Sequence, residues 1–188
     1  MTFRVISQIR DAEACERPKG LPKSRARGVK ARGIKYERDL AAAIPSARHG
    51  QWFRFEDGNG PGCCQTDLLL ETQWGLAILE AKLTWTWEGH RQLDQLYIPV
   101  LRQAYSSAWA GKPPHIFGLV VCKVLTPDLN LHRDWICRDL YGALSRAAEG
   151  KRTVLHWMGQ ILLPDRPALV PPGQSRPAIP LASIRAVT

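Results

Sequence analysis

Two apolar runs, Thr66 to Leu70 and Leu76 to Leu83, flank the short segment Glu71-Thr72-Gln73-Trp74-Gly75, and both runs carry charge where a core strand has no need of it. Their lengths and the turn-like segment between them predict an antiparallel hairpin at the centre of a sheet. Asp67 sits in the first run, and Glu80-Ala81-Lys82 lies near the end of the second. Strand side chains alternate, so Glu80 and Lys82 project to one face, Asp67 reaches that face from the neighbouring strand, and Ala81 points the other way into the core. Charges in an apolar hairpin cost free energy unless they serve one another or a metal. The chain must therefore bring these charges together or fail to bury the hairpin.

Around this hairpin the patterning alternates between helix and strand. A helix is predicted from Gly33 to Ile44, stopped by Pro45, with Ile34, Leu40, Ala41 and Ile44 as its inward stripe and Glu37 in the middle of that stripe. Gln51 to Glu56 reads as a strand and Asp57 to Gly62 as a loop, whose glycines leave room for a close backbone approach. A helix follows from Glu88 to Trp109, kinked or divided at Pro99; then come a buried strand over Ile116 to Cys122, and a last helix from Asp134 to Ala148 with Asp134 as its cap. Val154 to Leu163 supplies one or two short edge strands. The predicted order, α-β-β-β-α-β-α, is an α/β chain of the α+β kind: a central mixed β-sheet with helices packed on it.

Charge is distributed unevenly. The 188 residues hold 26 Lys and Arg against 17 Asp and Glu, a formal charge of +9. Between Arg17 and Arg38 the only acid among nine bases is Glu37. Pro18, Gly20, Pro22, Gly28 and Gly33 interrupt that stretch, so residues 1–30 read as a flexible basic arm, 31–163 as the folded domain and 164–188, with six prolines, as an extended tail. An arm of this kind seeks phosphate: Lys23, Arg25, Arg27, Lys30, Arg32, Lys35 and Arg38 are the candidate nucleic-acid contacts, with salt-dependent and largely sequence-blind affinity. No apolar run approaches the roughly 18 residues of a membrane span and no signal-peptide core is present, which predicts a protein of the cytoplasm or nucleoid without a membrane partner. Five cysteines without a CxxC pair read as reduced thiols, and the scattered histidines supply no zinc site.

The hairpin charges carry the chemistry. Asp67 and Glu80 offer the oxygen ligands that Mg²⁺ prefers, and Mn²⁺ takes the same donors; a cation held there polarises a phosphoryl oxygen, while Lys82 can hold the attacking water or balance transition-state charge. The acid-x-Lys triplet alone occurs readily by chance. Its place in a β-run, with an Asp in the preceding run and an inward Glu on a helix before both, gives it meaning. Trp85 and Trp87 suit edge packing better than base stacking, and His90 reads as a helix-face residue.

Asp67, then Glu80-x-Lys82, with Glu37 upstream, resembles the PD-(D/E)XK nuclease superfamily, with Thr66 standing where Pro commonly precedes the Asp. The resemblance covers about a third of the chain, Ala31 to Tyr97. Arg32-Gly33-Ile34-Lys35-Tyr36-Glu37-Arg38-Asp39-Leu40 is similar to the first-helix segment of archaeal-type Holliday-junction resolvases and their phage relatives. This resemblance implies a restriction-endonuclease-like core. It further implies that Asp67 and Glu80 ligate metal, that Ala81, between Glu80 and Lys82, belongs to the metal site, that Glu37 contacts metal directly or through water, and that Lys82 serves the nucleophile. The following helix contributes a Gln in several branches; Gln92 and Gln95 are the candidates, and Gln92, nearer the packed face, is preferred. The Gln-x-x-x-Tyr pattern of the recombination exonuclease branch needs Gln at position 93, where Leu93 stands.

The expected function is a Mg²⁺-dependent, structure-selective DNA endonuclease resolving branched DNA such as a Holliday junction. Two symmetric incisions in a four-way junction imply a homodimer. The alternatives are an exonuclease or flap nuclease with the same metal site, a non-catalytic DNA-binding module, and an RNA-associated basic protein that would leave the acidic cluster unused.

Overall fold

The computed structural model describes residues 8–19, 27–108 and 114–159. The chain folds as a mixed α/β structure with two sheets. The larger is six-stranded and mixed, built from β2 (Arg48–His49), β5 (Leu68–Thr72), β6 (Gly75–Thr84), β7 (Ile116–Val124), β9 (Val154–His156) and β8 (Ile136–Cys137), in that spatial order. The smaller joins β1 (Asp11–Cys15), β3 (Trp52–Asp57) and β4 (Gly60–Gln65), all antiparallel. The helices are α1 (Val29–Ala43), α2 (Trp87–Gln92), α3 (Ile98–Ala108) and α4 (Leu140–Ala148).

The expected hairpin is present. β5 and β6 pair antiparallel around the turn at Gln73-Trp74, with Leu68 opposite Leu79 and Leu70 opposite Ala77. β6 then pairs parallel to β7, so it is covered on both edges and both faces, as an apolar run of this length requires. Its odd-numbered residues Ala77 and Leu79 join Tyr36 and Leu40 of α1 and Leu144 of α4 in one core. Its even-numbered Leu76 and Ile78 join Leu93, Tyr97, Val100 and Leu101, together with Phe53 and Phe55 of the small sheet, in the other.

Several expectations need correction. α1 begins at Val29 rather than Gly33, after Gly28, whose φ of 59° suits glycine; Tyr36 joins Leu40 as a buried residue of the helix. Asp57 to Gly62 is not a loop but the tip of a hairpin: only Gly58 and Asn59 lie outside the strands, and the Asp57 carboxylate accepts a hydrogen bond from the Asn59 amide at 2.9 Å. Gly62 belongs to β4 because a Cβ there would lie 2.6 Å from the Phe55 ring. Residues 127–135 form a 3₁₀ segment opened by Pro127, so α4 starts later than expected and is capped by Asp139, not Asp134. β9 is interior, between β7 and β8, rather than an edge strand. β1 lies within the stretch expected as a basic arm, where its alternation is too short to read. Lys23, Arg25 and the expected tail 164–188 lie outside the described residues.

Candidate active site

Continuing the β5–β6 register one step past Leu68 and Leu79 sets Asp67 opposite Glu80. One Asp67 carboxylate oxygen accepts a hydrogen bond from the Ala81 amide at 2.8 Å, which ties the residue preceding β5 to the middle of β6. Glu80 is 2% exposed. Its Oε1 meets Lys82 Nζ at 2.6 Å, and Lys82 in turn donates to Gln92 Oε1 on α2 at 2.7 Å. The second Glu80 oxygen, Oε2, is buried with no hydrogen-bond partner. α2 lies close against the sheet here because Gly89 packs toward Val120 and the Lys82 stem, where a Cβ would be 3.2 and 3.5 Å from their carbons.

Electrostatics bind these groups into one unit. Burial, then the charges of Glu80 and Glu37, raises the Asp67 pKa well above the ordinary carboxylate range, against the pull of the Ala81 amide and Lys82. Burial likewise raises Glu80, with Lys82 opposing it and Glu37 adding to it. Two acids driven upward by desolvation and by neighbouring carboxylates are a frustrated arrangement that a divalent cation would relieve. The orphaned Glu80 Oε2 and the hard oxygen donors fit Mg²⁺, which is held by one or two carboxylates. Ala81 has no ligating side chain and offers its main-chain carbonyl alone.

Glu37 lies on α1. Its Oε1 pairs with His49 Nε2 at 2.7 Å, at the short edge strand β2. Among the described residues no group of three or more His, Cys, Asp or Glu side chains converges as a metal-holding set. Glu37 thus acts on Asp67 and Glu80 through its field, without standing beside them as a third direct ligand in this arrangement. Arg27, Lys30, Arg32, Lys35 and Arg38 are exposed along α1 and its lead-in, with Lys35 also paired to Asp39 at 2.8 Å.

One site residue escaped the sequence reading. The helix from α2 to α3 is not uniformly α: Leu93–Tyr97 is a π turn, which inserts an extra residue per turn. Gln92 and Tyr97, five apart, thereby come closer to one side than an α-helix allows. Gln92 holds Lys82, and the buried Tyr97 hydroxyl is pushed far upward by burial and then by the charges of Glu80 and Asp67. Leu93, which breaks the Gln-x-x-x-Tyr spacing, is 2% exposed and packs against Gly118. The only signal in the sequence was Pro99 shortly downstream, which marks irregularity without revealing its kind.

Comparison with known proteins found no family model, no curated protein and no solved structure that matches this chain.

Proposed function

We propose that the chain is a metal-dependent deoxyribonuclease that hydrolyses phosphodiester bonds, acting on branched DNA. The observation that carries this is the partly buried cluster of Asp67, Glu80, Lys82 and Gln92, in which the buried Glu80 keeps one oxygen without a hydrogen-bond partner. Asp67 and Glu80, with the Ala81 carbonyl, would hold Mg²⁺, which supplies Lewis acidity toward a phosphoryl oxygen and lowers the pKa of water. Mn²⁺ suits the same oxygen donors.

Lys82 sits between Glu80 and Gln92, so its ammonium is fixed in direction and can orient a water for attack or neutralise charge developing on the phosphate. Gln92 keeps that ammonium from collapsing wholly onto Glu80. Glu37, which pairs with His49 of the edge strand β2, adds to the negative potential felt by Asp67 and Glu80. The exposed bases of α1, Lys30, Arg32 and Arg38, suit the phosphates of a strand brought to this edge. Incision of a four-way junction at two symmetric points would require two copies of the chain.

The test incubates the full chain and Mg²⁺ with matched linear duplex, single strand, flap and four-way junction DNA. Paired symmetric nicks restricted to the junction support the resolvase function, and progressive loss from ends supports the exonuclease. Asp67→Ala should reduce cleavage by roughly 100-fold or more. Undiminished cleavage by that variant would refute the assignment.

A further inference from the structure

On the side of α2 away from the Lys82 stem lies a cavity of about 300 Å³, lined by Trp87, Glu88, His90, Asp94, Gln95 and Arg152 among others. Trp87 and His90 are its aromatic residues, and a cluster of rings packs behind Trp87. Trp87 lies edge-on to Trp135 at 5.5 Å between centroids, and Trp135 stacks on His132 at 4.1 Å with an interplanar angle of 11°. The Arg152 guanidinium stands over both tryptophans, at 5.4 Å from the Trp87 ring and 5.8 Å from the Trp135 ring. His90 is 6% exposed, yet its Nε2 is buried without a hydrogen-bond partner. Trp87, by contrast, is 45% exposed.

We infer that this cavity receives an unpaired nucleobase of the DNA strand being cut, stacked on Trp87 and read at its edge by His90 and Gln95. The inference rests on the nuclease function proposed above and deepens it by naming a substrate feature. A flat neutral ring with polar edges matches what the cavity offers: the part-exposed ring of Trp87, an orphaned imidazole nitrogen, and the Gln95 carboxamide at the rim. A cationic ligand does not match, because Arg152 already occupies the cation position over both rings. Burial and the nearby Arg152 charge push the His90 imidazole down to about 4, which keeps it neutral at pH 7 and able to bond an uncharged base edge.

The test measures binding in EDTA, so that its outcome is independent of cleavage. The full chain, Trp87→Ala and Trp87→Phe are titrated with a single-stranded thymidine oligonucleotide, the same oligonucleotide carrying abasic sites, and a matched duplex. Trp87→Ala should weaken single-strand binding roughly 5- to 100-fold, leave duplex binding unchanged, and erase the difference between the intact and abasic strands. Trp87→Phe should recover most of the loss. Equal single-strand affinity of wild type and Trp87→Ala, equal losses on single strand and duplex, or no single-strand binding by wild type would each overturn the inference. A wild type that binds the strand through Trp87 but cuts none of the duplex, single-strand, flap and four-way-junction substrates in Mg²⁺ would refute the nuclease function and keep the cavity's role.

Discussion

The two faces of β6 are made from neighbouring residues and have opposite characters. On one, Ala77, Leu79 and Ala81 alternate into a wholly apolar core with α1 and α4. On the other, Ile78 continues an equally apolar core, but the next two positions on that face are Glu80 and Lys82. Nothing in the strand's geometry demands charge there, since the other face shows the same backbone accommodating alanine and leucine. Burying an ion pair rarely stabilises a fold relative to well-packed apolar groups. The apolar face keeps the protein folded, and the charged face is the one on which the proposed chemistry depends.

Substitutions on either side of this strand should separate along that line. Leu79→Ala opens a cavity in the apolar core and should cost about 2–5 kcal/mol of stability, read as a lower urea midpoint, while cleavage per folded molecule is kept. Glu80→Gln keeps the volume and removes the desolvated charge, so it should shift the midpoint less than Leu79→Ala does and abolish Mg²⁺-dependent cleavage. Equal stability losses from the two would erase the distinction between the faces.

A smaller effect sharpens the same contrast. A carboxyl whose folded pKa lies above its unfolded value holds its proton more tightly when folded, so its penalty is absent below the unfolded pKa and grows as pH rises toward the folded value. For Asp67 the window opens near the ordinary value of 3.8 and extends upward. Without divalent cations, Asp67→Asn should match wild-type stability at the acid end and exceed it increasingly toward neutral pH, as urea midpoints measured across that range will reveal. Parallel curves would mean that Asp67 is not strained in the folded protein.

Much of this contrast was legible in the residues alone, for a physical reason. β5 and β6 are long, apolar and bounded by a turn, so their pairing and the common face of Asp67, Glu80 and Lys82 follow from strand alternation. β4 was hidden because Gly60, Pro61 and Gly62 have turn composition, and only the Phe55 ring lying over Gly62 explains why a strand tolerates them. Tyr97 was hidden because its place depends on a π turn, which helical periodicity does not register. The aromatic cavity gathers α2, the 3₁₀ segment and Arg152, elements far apart in the chain, and no local pattern joins them.

The claim beneath the whole account is that Asp67 and Glu80 are strained apart from a cation and satisfied by one. Calorimetric titration of Mn²⁺ into the full chain tests it without any DNA. Wild type should take up the ion saturably, and Asp67→Asn should bind it at least about tenfold more weakly, a loss of ~1.4 kcal/mol. Indistinguishable Mn²⁺ uptake by the two proteins would contradict the account.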